Sequence, residues 1–219
     1  MFLFFDTETS GLPKNWKAPI TDLDNWPRLI QIGWIVCDEN RNRIKSEEYI
    51  IKPEGFEIPK EASDVHGITT EIALRNGLPL LDILDKFNEL VNQCEYIIAH
   101  NLSFDEKIIR AEFLRNSLST EFTYKKQLCT MASSTEFCAI DGPYGYKWPK
   151  LEELHIKLFN KNFENAHNAF ADIDATEKCF WKLIELGIIK VTRENTQSIQ
   201  SKEIQKSQNI DDSIINKIS

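Results

Sequence analysis

The sequence predicts an α/β fold built on a mixed sheet, and two patterns carry this prediction. Three strand-like apolar segments come first, at 2–5, 29–37 and 44–51. Consecutive strands with short links are typical of an antiparallel meander. Beyond residue 79, helical periods alternate with short apolar runs, which is typical of helices layered on a sheet.

The first three strands are predicted from their composition and boundaries. Phe2–Phe5 is a continuous apolar run that ends at Asp6, the pattern of a buried strand. Leu29–Cys37 is rich in β-branched and aromatic residues, which favour a pleated, buried surface. Ile44–Ile51 is expected to return as the third strand, closed by Pro53.

A helix, a strand and a second helix follow. Pro79 suits a first helical turn. Apolar side chains then recur at helical spacing, at Leu80, Ile83, Leu84, Phe87, Leu90 and Val91. Tyr96–Ala99 predicts the fourth strand. Ser103 and Glu106 have the spacing of a capping box, so the next helix is expected to begin at Phe104.

One strand and two helices complete the predicted fold. Gln127–Met131 predicts the fifth strand, and a helix is expected over 149–158. Ala169–Leu186 has a helical apolar face, and Gly187 is a typical stop signal.

Residues 190–219 differ from the rest of the chain. They contain no aromatic residue, no Gly and no Pro. We therefore expect a domain over 1–189 and a polar, flexible tail over 190–219. Scattered isoleucines leave a weak amphipathic helix as the alternative.

Composition excludes several classes of protein. No apolar run of the 219 residues approaches the ~20 needed to cross a membrane, and the start lacks the basic flank of a signal peptide. Five cysteines form no CxxC pair, which argues for free thiols, a cytoplasmic location and no Cys-based zinc site. A net charge of −8 argues against coating nucleic acid by bulk electrostatics. It does not exclude an enzyme whose carboxylates hold metal ions.

Carboxylates at element ends are the candidate chemistry. Asp6 and Glu8 alternate along one strand, so they share a side of the chain. Asp105 follows the fourth strand, at the edge where α/β sheets place ligands. Asp172 lies one turn inside the last helix, preceded by His167. Taken singly, each has an ordinary interpretation as a solvated strand end, a helix-start acid or a surface residue.

Taken together, four converging carboxylates would repel one another unless cations lay between them. Hard oxygen ligands without cysteine select Mg²⁺ or Mn²⁺ over zinc. A pair of such ions is the usual clamp for phosphoryl displacement.

The motifs resemble the DnaQ-like 3′–5′ exonucleases, in the subgroup named for its Asp-Glu-Asp-Asp-His set. The resemblance spans about residues 1–187 and is carried by Phe5–Leu12, Val65–Thr69, Ala99–Asp105 and His167–Asp172. It implies a ribonuclease-H-like fold, with a five-stranded mixed sheet flanked by helices. It also implies two Mg²⁺ ions, with Mn²⁺ as a substitute.

The resemblance implies a role for each motif residue. Asp6, Glu8 and Asp172 would bind the metal that carries the attacking water, and Asp6 with Asp105 the second metal. His167 would take the proton from that water. Substrate-binding positions are implied for four further residues, namely Leu12 and Phe104 as apolar wedges, and His66 and Asn101 near the substrate.

The activity implied is trimming of single-stranded or frayed DNA 3′ ends to nucleoside 5′-monophosphates. The roles implied are proofreading or repair, with a DNA polymerase as a candidate partner. An RNA trimmer or oligoribonuclease-like enzyme shares the same motifs. A non-catalytic binding module is disfavoured because all five motif residues are present.

Residues 141–150 (DGPYGYKWPK) are either a surface for stacking single strands or a surface loop with a packed Trp148. The oligomeric state is not predicted.

Overall fold

A five-stranded sheet forms the centre of the protein in a computed structural model that describes residues 1–163 and 169–191. The strands are Phe2–Thr9 (β1), Leu29–Cys37 (β2), Arg43–Ile50 (β3), Tyr96–Ala99 (β4) and Lys126–Cys129 (β5). They lie in the order β3-β2-β1-β4-β5. β2 is antiparallel to both β1 and β3, whereas β1, β4 and β5 run parallel. This confirms the predicted α/β class and the five-stranded mixed sheet.

Helices pack on both faces of this sheet. Their bounds are Lys60–His66 (α1), Thr70–Asn76 (α2), Leu80–Gln93 (α3), Leu102–Arg115 (α4), Thr130–Cys138 (α5), Leu151–Phe159 (α6) and Ala169–Glu185 (α7). Leu3 and Phe5 of β1 belong to the core shared with α3 and α4. Phe2 and Phe4 instead contact Phe180 of α7. Successive residues of β1 therefore face different helical layers.

The first strand is longer than its apolar run predicts. It extends to Thr9 rather than ending before Asp6. β4 pairs only with residues 2–4 of β1, whereas β2 pairs with β1 up to Thr9. The polar half of β1 is thus held by β2 alone, and the space beyond the end of β4 is open to other elements.

The predicted capping box is wrong. Helix α4 begins at Leu102, two residues before Phe104, and its N-cap is Asn101 with no side-chain hydrogen bond. Asn101 has a left-handed backbone with φ of 68°, which Asn tolerates better than most residues. Ser103 consequently falls inside the first turn, where it cannot act as a cap.

The apolar periodicity of the sequence did not predict the short helices. α1 and α2 have seven residues each, too few for an apolar period to recur. α5 replaces the end of the predicted fifth strand after Cys129, and its residues are mostly small and polar. The longer α3 and α7 agree with prediction, and Gly187 has the left-handed φ of 72° expected of a helix stop.

Two predictions fall outside the described residues. The tail over 190–219 is described only at its first two positions, so it and the 1–189 domain boundary stay predictions. His167 also lies in the undescribed stretch 164–168. Within the part of the chain that the structure describes, no helix combines the length and apolarity needed to span a bilayer.

Candidate active site

One face of β1 carries two acids toward α7. Phe2 and Phe4 pack against Phe180 on this face. Because side chains alternate along a strand, Asp6 and Glu8 project to the same face. The sequence thereby fixes which helical layer the two acids meet.

Helix α7 supplies the third acid, Asp172, from its first turn. Carboxylate oxygens of Asp6, Glu8 and Asp172 all lie within 4.8 Å of one another, and the three side chains are partly buried. Oxygens at this spacing can share one small cation as ligands. The structure therefore brings together three of the four acids predicted as metal ligands.

The electrostatics of this cluster are unfavourable without a cation. Burial, followed by repulsion from Asp105, Glu8 and Asp172, raises the pKa of Asp6 well above its usual range. Burial and repulsion from Asp172 and Asp105 raise the pKa of Glu8 to about 8. Neighbouring negative charge and desolvation both disfavour the ionised form.

Asp105 reaches the same end of β1 from the opposite layer. It is buried in the first turn of α4, and its Oδ1 accepts hydrogen bonds from the Thr7 hydroxyl at 2.7 Å and the Thr7 backbone N–H at 3.1 Å. Burial raises the pKa of Asp105 to about 7, against the lowering effect of these bonds. Asp105 is not among the three acids whose oxygens converge within 4.8 Å, although its charge acts on Asp6.

The donor set fits divalent metal ions of the hard class. All its atoms are carboxylate oxygens, and no arginine or lysine in the described residues forms an ion pair with Asp6 or Glu8. A bound cation would compensate the mutual repulsion that raises these pKa values. We therefore regard Asp6, Glu8 and Asp172 as a candidate metal centre.

Beside Glu8 lies a largely apolar cavity of about 540 Å³. Its walls include Leu12, His66 and Phe104, three of the predicted substrate-binding residues. Leu12 is 72% exposed, so its side chain is accessible to a molecule that enters this cavity.

His66 and Phe104 are held in place by neighbours. The Nδ1 atom of His66 accepts a hydrogen bond from the Ile68 backbone N–H at 3.1 Å. Its Nε2 is buried with no partner among the described residues. Burial lowers the pKa of His66, while the Thr9 backbone opposes that shift. The ring of Phe104 contacts Trp16, with centroids 5.7 Å apart.

A second cavity of about 360 Å³ lies on the Asp172 side of the acids. Asn101, the remaining predicted substrate-binding residue, lines it together with His100 and Trp148. His100 is 3.0 Å from both the Thr130 hydroxyl, through Nδ1, and the Pro149 carbonyl, through Nε2. A carbonyl can only accept, so Nε2 carries the proton. Burial lowers the pKa of His100 to about 4, and the ring stays neutral.

Sequence reasoning missed two residues of this site. Thr7 stands between the two acids of β1 but faces the other layer, where it binds Asp105. His100 joins the end of β4 to α5 and to Pro149. Strand alternation predicts the direction of Thr7. No local pattern predicts either partner, because each lies 30 or more residues away.

The fold and the acidic site define a nuclease of the ribonuclease-H-like class. The exonuclease family model RNase_T matches residues 3–180, and the chain belongs to that family. This confirms the predicted membership of the DnaQ-like 3′–5′ exonucleases.

Solved structures of exonucleases have the same fold. Escherichia coli exonuclease I in complex with a dT13 oligonucleotide matches with a TM-score of 0.67 and 23% identity, over 84% of this chain and 40% of that chain. Exonuclease I from Methylocaldum szegediense matches with a TM-score of 0.65, 23% identity and the same coverage. Exonuclease X in complex with 5′ overhanging duplex DNA matches with a TM-score of 0.56 and 18% identity, over 85% of this chain and 93% of that chain.

The chain spans about 40% of the exonuclease I chains that it matches. No curated protein sequence matches it significantly.

Proposed function

We propose that this protein is a divalent-metal-dependent 3′–5′ exonuclease of single-stranded or frayed DNA that releases nucleoside 5′-monophosphates. The convergence of the Asp6, Glu8 and Asp172 carboxylates within 4.8 Å is the observation that carries this proposal. Buried, mutually repelling acids are costly unless they serve a cation.

The residues present would hold two metal ions, Mg²⁺ or Mn²⁺. Asp6, Glu8 and Asp172 would bind the first, and Asp6 and Asp105 the second. When bound, such ions lower the pKa of water and neutralise charge on phosphoryl oxygens. Thr7 fixes the carboxylate of Asp105 from the opposite face of β1, so the ligands on both sides of the strand are preorganised.

The chain's own residues would place the substrate and move the proton. His167, from its motif position, would accept the proton of the attacking water. The water oxygen then bonds to phosphorus, the 3′ oxygen of the penultimate nucleotide leaves, and the phosphate remains on the released nucleotide. Leu12 and Phe104 line the cavity beside Glu8, which has room for one nucleotide base and its sugar.

Single-stranded DNA is favoured over RNA by the ligands of the structural relatives. Oligonucleotides dT13 and dA16 occupy the exonuclease I structures, and an overhanging duplex occupies exonuclease X. We extend the proposal to a role in proofreading or repair in the cytoplasm, where a DNA polymerase is the natural partner. The five thiols are all free, which agrees with a reducing compartment.

The test is a time course on 5′-labelled single-stranded DNA and a matched RNA, in Mg²⁺, in Mn²⁺ and in chelator. We expect a one-nucleotide ladder from the 3′ end that requires metal and is faster on DNA. Asp6→Asn should abolish it. Asp85→Asn, an exposed acid on α3, is the matched control and should cleave like the wild type. Faster cleavage of the RNA would make RNA, rather than DNA, the proposed substrate. Cleavage without metal would overturn the mechanism.

A further inference from the structure

Residues 141–150 form an aromatic surface that the proposed chemistry leaves unexplained. A two-stranded hairpin, Asp141–Gly142 (β6) with Gly145–Tyr146 (β7), leads directly to Trp148. Tyr144 is fully exposed, Tyr146 is about half exposed and Trp148 is 69% exposed. The alternative of a packed Trp148 is therefore wrong. Large aromatic rings left together in water are typical of a binding surface.

This aromatic hairpin segment, residues 141–150, is fixed beside the acids. His100, at the end of β4, donates its Nε2–H to the Pro149 carbonyl at 3.0 Å. Trp148 and Lys150 line the 360 Å³ cavity that Asp172 and Asn101 also line. The exposed tryptophan thus belongs to the same cleft as a metal-site carboxylate.

The acids lie between two cavities, and that order suggests a path for a strand. Glu8 lines the cavity with Leu12 and Phe104, whereas Asp172 lines the one with Trp148. A phosphodiester held at the acids has one nucleotide on its 3′ side and the rest of the strand on its 5′ side. If the terminal nucleotide fills the first cavity, the upstream strand leaves across the second.

Two lysines near the aromatic rings can contact the phosphates of a polynucleotide, although Glu152 lines the same cavity. Lys150 is exposed at the start of α6. Lys147 forms an ion pair with Glu153 but keeps 40% of its side chain exposed. Ammonium groups beside exposed rings provide phosphate contacts along with base stacking, the combination that holds single strands without reading their sequence.

We propose that the aromatic hairpin segment is a stacking platform for the nucleotides immediately upstream of the scissile bond. This inference rests on the proposed exonuclease function and adds a binding surface to it. Trp148, nearest the acids along the cleft, would stack on the first upstream bases. Tyr146 and Tyr144 would extend the contact, without preference for base identity.

The test compares a 12-nucleotide thymidine strand with the nitrophenyl ester of thymidine 5′-phosphate, which has no upstream nucleotide. Trp148→Ala is expected to lower the ratio of kcat/KM on the strand to that on the ester about tenfold, the usual effect of losing one stacked ring. Trp148→Phe should restore most of the ratio. Tyr144→Ala, at a fully exposed position, should lower it less, and should weaken binding of a fluorescent strand in chelator.

The control is Tyr124→Ala, which removes a tyrosine 85% exposed in the turn before β5, at the other edge of the sheet. It should leave the ratio unchanged. A ratio within twofold of wild type for both Trp148→Ala and Tyr144→Ala would overturn the platform while leaving the exonuclease intact. A wild-type protein that hydrolyses neither substrate would instead overturn the proposed function, and the platform with it.

Discussion

Two acids on one helix, Asp172 and Asp174, have opposite electrostatic surroundings. Asp172 faces the carboxylates of Asp6 and Glu8. Asp174 forms ion pairs with Arg43 and Lys178. Burial acts to raise the pKa of Asp174, but hydrogen bonds from Lys178 and Arg43 hold it below its usual range.

This difference in pairing separates acids that stabilise the fold from acids whose mutual repulsion destabilises it. Glu177, one turn after Asp174, is buried and accepts hydrogen bonds from Arg43 and from the Trp181 ring N–H. Those acids are compensated by cations and donors of the protein itself. No basic side chain among the described residues pairs with Asp6 or Glu8, and a cation from solution is the compensation that we propose for them.

The largest effect is expected at the acidic cluster, where a substitution should lower activity without lowering stability. Asp6→Asn should lower kcat by about a thousandfold or more, which corresponds to on the order of 4 kcal/mol of transition-state stabilisation. The same change removes a repelling charge, so the metal-free protein should melt at the same or a higher temperature. Activity assays and calorimetry in chelator measure the two effects. A large loss of melting temperature would show that Asp6 supports the fold rather than the metal.

At the ion-paired acids we expect the opposite result, a loss of stability without a loss of activity. Glu177→Gln leaves Arg43 without a full counter-charge and should cost about 1–3 kcal/mol of unfolding free energy. Because Glu177 is not part of the candidate metal centre, kcat at a temperature well below melting should stay within about twofold of wild type. Urea denaturation measures the first quantity. Loss of kcat without loss of stability would erase the distinction between the two sets of acids.

The stability of the metal-free protein should depend on pH with a sign set by Glu8. Its pKa is about 8 in the folded protein against 4.5 in the unfolded chain, so the folded state binds more protons between these values. The free energy of unfolding should therefore fall as pH rises from about 5 to 8, by on the order of a few kcal/mol. Mg²⁺ should remove most of this decline. Metal-free protein that gains stability over this range would contradict the raised pKa.

The smallest effect is expected from the anchor of Asp105. Thr7→Val removes the hydroxyl that donates to Asp105 at 2.7 Å but keeps the size and strand propensity of the side chain. A lost hydrogen bond of about 1–1.5 kcal/mol predicts a five- to tenfold decrease in kcat, with KM little changed. Thr7→Ser should recover most of the rate. Equal rates for the valine and serine variants would assign Thr7 to packing alone.

The sequence predicted the elements of the fold best where apolar residues form a continuous run or repeat at a regular spacing. Leu29–Cys37, Tyr96–Ala99 and the helix from Leu80 match the structure because burial dictates their composition. The helices of residues 60–66 and 70–76 escaped detection, because seven residues cannot display a period. The capping box at Ser103 failed because Asn101 starts the helix earlier through its backbone conformation.

By itself, the sequence determined that Asp6 and Glu8 share one side of a strand, since alternation is a property of any extended chain. It also presented the motif acids in their family order. Only the tertiary structure decided that Asp172 meets these acids from one layer while Thr7 holds Asp105 in the other. It also decided that Trp148 stays exposed beside them. These placements depend on how segments far apart in the sequence pack together, 98 residues apart for Thr7 and Asp105, which no local pattern encodes.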